Sequence, residues 1–205
     1  MKALKIAVLA LVLVLVAGYM MLPTESSVER SRVVDAPRNV IFPLVNNVRR
    51  WPEWDPWTPF DPDMKREYKG PDAGVGAESH WDSETQEVGT GFFRIDESVA
   101  GEKVVMHLEF TKPFESASTG TITLADEGGG TRVTWHNYSK LEGPMMRFAG
   151  LFLDGMLGEQ FDTGLANLAE IAEKEAATPL GQAKGTIEDV TDAAKKIGKE
   201  LGIGE

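Results

Sequence analysis

The sequence predicts an α+β fold in which an antiparallel meander packs against one long C-terminal helix, with an apolar N-terminal segment ahead of it. Three observations predict this. Strand-like runs follow one another at regular spacing from Ala77 to Asn137, a helical period occupies Pro144 to Glu175, and an uncharged run extends from Ile6 to Leu22. At 205 residues, 42% of them hydrophobic, the chain is long enough for one domain plus appendages.

The N-terminus reads MKALKIAVLALVLVLVAGYMMLP, with Lys2 and Lys5 ahead of the uncharged run. At about 1.5 Å per residue the run covers about 25 Å, and with snorkelling lysines it is expected to cross a bilayer core of about 30 Å as a transmembrane anchor spanning residues 1–23. A signal peptide is the rival reading. Val16-Ala17-Gly18 is a fair cleavage site, but Tyr19, Met20, Met21 and Leu22 carry the apolar character past it. Either way the lysines hold the N-terminus in the cytoplasm, so the expected location is a single-pass cell-membrane protein with its domain on the extracytoplasmic side.

Residues 24–27 read as a polar linker, and a first strand, VERSRVV, begins at Val28. Asp35 suits an N-cap and Pro37 the first turn of a helix whose apolar face is Val40, Ile41, Leu44, Val45 and Val48; Pro43 kinks or shortens it. The stretch RRWPEWDPW follows, with three of the chain's five tryptophans in seven residues. Its two prolines exclude a regular helix or strand, so Trp51 and Trp54 are expected to pack as a lid or edge over the core. The next stretch, DPDMKREYKGPDAGVGA, reads as loops and turns. Five strands come next: AESHWDS, GTGFFRIDES, EKVVMHLEF, SASTGTITL and TRVTWHNY. In the C-terminal helix Leu153, Leu157, Phe161, Leu165, Leu168 and Ala172 fall near one face, and the glycines at 150, 155 and 158 predict a break or bend between Gly150 and Gly158. Residues 177–205 hold an amphipathic tail helix, separate from the core, with Ile187, Val190, Ala194, Ile197 and Leu201 as its stripe.

Composition excludes several function classes. There is no cysteine, so disulfides, thiolate chemistry and cysteine metal ligands are ruled out. The formal charge of −11 disfavours nucleic acid as a partner. Gly74-Val75-Gly76 and Gly128-Gly129-Gly130 lack the strand, helix and lysine of a phosphate loop and read as turns. No histidine pair has metal-ligand spacing, so neither metal nor cofactor is expected.

The order strand, helix, meander, long helix is that of a helix-grip fold. The stretches VDAPRNVIFPLVNNVRRWPEWDPW, GPDAGVGAESHWDSE, ESVAGEKVVMHLEFTKPFE, GGGTRVTWHN and FDTGLANL resemble the polyketide cyclase/dehydrase and lipid transport family of the START-like superfamily. The resemblance covers about residues 28–176. It implies a curved antiparallel sheet wrapped around the C-terminal helix, with an apolar cavity between them.

Strand alternation then assigns side chains to that cavity. Ser79 and Trp81 share a face, as do Phe93, Ile95 and Glu97, then Met106, Leu108 and Phe110, then Trp135 and Asn137. With Trp51, Trp54, Leu153, Leu157 and Phe161 these are the expected ligand-binding residues. All three histidines fall on the opposite parity, facing solvent, which leaves no catalytic residue assigned. Ser79 stands where the family often has a bulky aromatic, so extra room is expected there. The function implied is a membrane-tethered module that binds a lipid or other apolar small molecule without chemistry. Two alternatives stay open: a cyclase- or hydrolase-type enzyme using Glu97 and Asn137, and a non-catalytic protein that engages a protein partner through the tail helix.

Overall fold

The structure is a computed structural model and describes residues 2–200. Helix α1 (Lys2–Met20) leads into strand β1 (Glu25–Val34) and helix α2 (Arg38–Asn46). Two single 3-10 turns, Trp51–Glu53 and Thr58–Phe60, shape the tryptophan loop. Strands β2 (Lys65–Lys69), β3 (Glu78–Asp82), β4 (Thr90–Val99), β5 (Lys103–Lys112), β6 (Ser116–Glu127) and β7 (Gly130–Lys140) follow, then helices α3 (Gly143–Ala149), α4 (Leu153–Ala176) and α5 (Pro179–Glu200).

The strands form one antiparallel sheet in the order β1-β7-β6-β5-β4-β3-β2. Each of β2 to β7 pairs with its sequence neighbour, as short turns dictate, and β1 returns to pair with β7 from Glu25↔Lys140 to Val34↔Thr131. Helix α4 lies across the inner face, against β1, β7 and α2. Val28, Ile95, Val104, Met106, Ile122, Val133, Leu165 and Leu168 form the buried core between them.

Several expectations need correction. No helix among the described residues is long and apolar enough to cross a membrane, so the expected transmembrane helix is not found. Helix α1 ends at Met20, which leaves an uncharged helical stretch from Ile6 to Met20 of only about 22 Å. The linker is shorter than read, because Glu25, Ser26 and Ser27 already pair with Lys140, Ser139 and Tyr138. Strand β2 lies within the stretch read as loops; its sequence KREYK is mostly charged because it is an edge strand with only one neighbour. Asp35 does not cap α2; its backbone N–H donates to Glu173 Oε1 at 3.1 Å, and Pro37 occupies the cap position. Pro43 is accommodated inside α2, whose buried face is Val40, Ile41, Leu44 and Val45.

The C-terminal helix does break, between Ala149 and Leu153. The tail is not separate from the core. Helix α5 begins at Pro179, earlier than its apolar stripe, and packs on α2 and α4; Asn39 Nδ2 donates to the Lys184 carbonyl at 2.6 Å. Ile187 and Val190 on its stripe are exposed. The side chains of Ala194 and Ile197, and Leu201 as a whole, lie outside the described residues.

Candidate functional site

The tryptophan loop is built by hydrogen bonds to the end of α2. A helix leaves its last four carbonyls without intrahelical donors, and here each finds one. Pro43 C=O accepts from Asn47 N–H at 3.3 Å and Asn46 C=O from Gly74 N–H at 3.1 Å. Leu44 C=O accepts from the indole of Trp54 at 3.1 Å, and Val45 C=O from the indole of Trp51 at 2.9 Å. Two of the three tryptophans therefore cap a helix while filling the core, which explains their density in a stretch without regular structure. Arg50 clamps the loop to the far end of α4, donating to Glu53 at 2.6 Å and Glu175 at 2.6 Å; these carboxylates hold its guanidinium above its ordinary pKa.

Asp55, 7% exposed, makes the next turn. Its Oδ1 accepts the N–H groups of Trp57 at 2.9 Å and Thr58 at 2.7 Å, and its Oδ2 accepts the Thr58 hydroxyl at 2.7 Å. Arg66 donates to Thr58 Oγ1 at 2.6 Å and approaches Asp55 at 3.5 Å. This turn points Trp57 under α4, where its ring meets Trp135 at 5.8 Å and Phe161 at 6.5 Å, edge to face.

Between the sheet and α4 lies a cavity of about 280 Å³. Its floor is Phe93, Met106, Leu108, Phe110, Gly120, Trp135 and Asn137, its roof Leu153, Leu157 and Phe161, and its sides Trp51, Trp57 and Trp81. Trp135 stacks on Phe161 with ring centroids 4.2 Å apart. The ring fits there because α4 carries glycine at 164, where a Cβ would stand 2.9 Å from Trp135 and 3.1 Å from Pro56. Ser116, Ser118, Ser139 and Lys140 form a polar rim at one end together with Met146, and the exposed Glu87 also lines the cavity. Asn137, 7% exposed, donates to Ser139 Oγ at 3.4 Å.

The roof is held down by Arg30 of β1. Its guanidinium donates to Asp154 Oδ1 at 3.1 Å and lies 3.4 Å from Asp162, in the space that glycine leaves at 158, where a Cβ would overlap it. The hydrogen bond from Arg30 keeps the Asp154 carboxyl below its ordinary range. Arg30 thus spends its charge on positioning the helix turns that carry Leu153, Leu157 and Phe161.

Of the residues expected at the cavity, four lie elsewhere. Trp54 is fully buried behind Trp51, ring centroids 4.6 Å apart, and closes the core without reaching the cavity. Ile95 is likewise fully buried in the core. Glu97 points to solvent. A register shift between Ile95 and Glu97 sets Glu97 opposite Val105 rather than on the face that continues from Met106, and its carboxylate pairs with Lys103 at 2.8 Å. Glu97 and Asn137 are therefore not brought together. Ser79 adds no room: it sits between Tyr68 and Phe93 in register, 1% exposed, and its hydroxyl has no hydrogen-bond partner among the described residues.

The room comes instead from β6, whose inward positions Ser116, Ser118 and Gly120 are small where the facing strand carries Met106, Leu108 and Phe110. Those positions share the parity of Ile122 and Leu124, so alternation alone finds them. Trp57, Asp55 and Arg66 also line the cavity and were not expected there; an aspartate before proline, two residues ahead of a tryptophan, is the signal for the turn that aims Trp57 inward. None of the three histidines lines the cavity. His80 stacks on Phe92 at 5.0 Å on the outer face and His136 bonds Ser27 Oγ at 2.9 Å. Among the described residues no group of histidine, aspartate or glutamate is arranged to hold a metal ion.

A search of curated proteins finds no match. Among solved structures, a protein from Chromobacterium violaceum is 18% identical, with 72% of this chain and 97% of that one covered and a TM-score of 0.53. An uncharacterized protein from Rhizobium leguminosarum is 15% identical over 74% and 96%, TM-score 0.56. A protein encoded in the dynemicin biosynthetic locus is 17% identical over 72% of this chain and 47% of its own, TM-score 0.50. At these identities the likeness is one of fold. The family model for polyketide cyclase/dehydrase and lipid transport matches residues 25–173, from the first residue of β1 to the last turn of α4, and the chain belongs to that family.

Proposed function

We propose that the protein binds an apolar small molecule or lipid in the cavity under α4, and that α1 tethers it to a membrane. The cavity carries this reading: about 280 Å³ walled mainly by aromatic and aliphatic side chains, with few polar groups, namely Asn137 in the floor, the rim, Glu87 and the Asp55–Arg66 turn. Enclosing about 200 Å² of ligand apolar surface contributes about 5 kcal/mol without any specialised group. Asp55, the most buried acid beside the cavity, is saturated by its own turn, Glu87 is exposed to solvent and Glu97 is outside, which favours binding over turnover.

Helix α1 supports the tether because its apolar side chains are exposed on every side. Lys2 and Lys5 can snorkel to the headgroups while the apolar side chains that follow them sit in lipid. Native mass spectrometry of the gently purified full chain tests the binding reading. A co-purifying apolar molecule is expected, and Ser118→Trp, which sets an indole at the cavity rim beside Leu108, should expel it. An empty wild-type cavity, or equal occupancy in the two proteins, overturns the reading.

A further inference from the structure

The exit of α1, the cavity rim and a cluster of exposed apolar side chains on α3 and the start of α4 lie at one end of the molecule. Pairing fixes the first two: Glu25, just after α1, faces Lys140, and Ser139 faces Ser118. Helix α3 begins three residues beyond Lys140 and is tied to the chain leaving α1. Leu141 N–H donates to the Thr24 carbonyl at 2.9 Å, Gly150 lies against Pro23, and the Arg147 guanidinium sits 5.0 Å over the Tyr19 ring.

Met146 of α3 turns inward onto the rim. On the other side Met145, Phe148, Leu151, Phe152 and Met156 are 55–67% exposed, and the rings of Phe148 and Phe152 pack 5.8 Å apart. Phe114, in the β5–β6 turn at the same end, is also exposed. Arg147, on the same helix as Met145 and Phe148, links α3 to Tyr19 of α1. Leu11 to Leu15 of α1 are 47–67% exposed at five successive positions, about 100° apart, so they go right round the helix. A groove covers only one side of such a helix, whereas a bilayer supplies cover on every side.

We infer that α3 and the first turn of α4 form a bilayer-docking face that seats the Ser116–Lys140–Met146 rim on lipid, so that ligand passes between bilayer and cavity without crossing bulk water. This rests on the reading of the cavity as an apolar-ligand site and of α1 as its tether. Helix α3 then has lipid on one side and ligand on the other. Gly143, at φ +76°, and Gly150 bound it at the two ends.

The chain has no cysteine, so single labels can be placed freely. Phe148→Cys, Phe152→Cys and, in the β2–β3 turn at the opposite end, Val75→Cys would each carry a nitrobenzoxadiazole fluorophore in the full chain, reconstituted in phosphatidylcholine vesicles containing doxyl-labelled lipid. Quenching at 148 and 152 about fivefold stronger than at 75 is expected for side chains sunk into the headgroup and acyl boundary. Equal quenching at all three sites overturns the docking face. So does a blue shift at 148 that grows with protein concentration in lipid-free detergent, which assigns the patch to a second copy of the chain. The cavity is judged separately by what co-purifies: quenched labels over an empty cavity remove the ligand and keep the docking face, and a filled cavity with unquenched labels does the reverse.

Discussion

Substituting Trp54 by phenylalanine tests the division of labour within the tryptophan loop. Trp54 is fully buried, and its indole N–H is the donor for the Leu44 carbonyl at the end of α2. Phenylalanine cannot supply that donor, and the Val48 N–H that would serve in a longer helix is already given to Asp72 at 3.0 Å. Leaving a buried carbonyl unpaired costs about 1–3 kcal/mol. The smaller ring also leaves a void of about 40 Å³, which at about 24 cal/mol per Å³ adds about 1 kcal/mol. The total is a loss of about 2–4 kcal/mol. Trp57→Phe is the control: that ring is only partly buried, its indole makes no hydrogen bond to the described residues, and a loss below about 1 kcal/mol is expected. Urea unfolding of the full chain in detergent, followed by far-ultraviolet circular dichroism, measures both. Ligand content should show the opposite order, because Trp57 lines the cavity and Trp54 does not. If Trp54→Phe is no more destabilising than Trp57→Phe, the capping argument is wrong.

Asp55→Ala should lower stability by about 2–4 kcal/mol by stripping acceptors from the Trp57 and Thr58 N–H groups, and Asp55→Asn, which keeps one oxygen, should recover much of it in the same unfolding measurement. Gly158→Ala gains about 1 kcal/mol of helix propensity but displaces the Arg30 guanidinium, so the unfolding midpoint should move little while the Asp154 carboxyl, followed by NMR titration, returns to its ordinary pKa. Because that carboxyl is depressed in the folded protein, the stability it contributes is complete above the ordinary aspartate pKa and is lost as pH falls through the depressed value. Arg30→Met should flatten that part of the acid limb in pH-dependent unfolding.

The floor of the site was legible because strand alternation is a strict two-residue period: Trp81, Phe93, Met106, Leu108, Phe110, Trp135 and Asn137 reach the cavity from parity alone. Glu97 shows where that logic stops. One extra residue at a bulge reverses the parity beyond it, and no composition signal at Ile95-Asp96-Glu97 announces the shift. Depth is also invisible to parity, since Ile95 faces the same way as Phe93 yet lies under packed side chains. In the tryptophan loop the prolines showed that no regular element forms, but which indoles cap α2 depends on carbonyls ten and six residues earlier that only the folded helix presents. Edge strand β2 was hidden because a strand with one free side tolerates charge at nearly every position.

The pairing of β1 with β7 has a kinetic consequence. Every other pair in the sheet joins strands adjacent in sequence and is assembled by closing a short turn, whereas Val34 meets Thr131 only by closing a loop of roughly a hundred residues. The meander is therefore set to nucleate by itself, and the first strand to be synthesised is among the last to be zipped in, together with the helix that Arg30 fastens to it. In pulse-labelling hydrogen exchange during refolding, amides of β5, β6 and the inner hairpins should gain protection before those of β1.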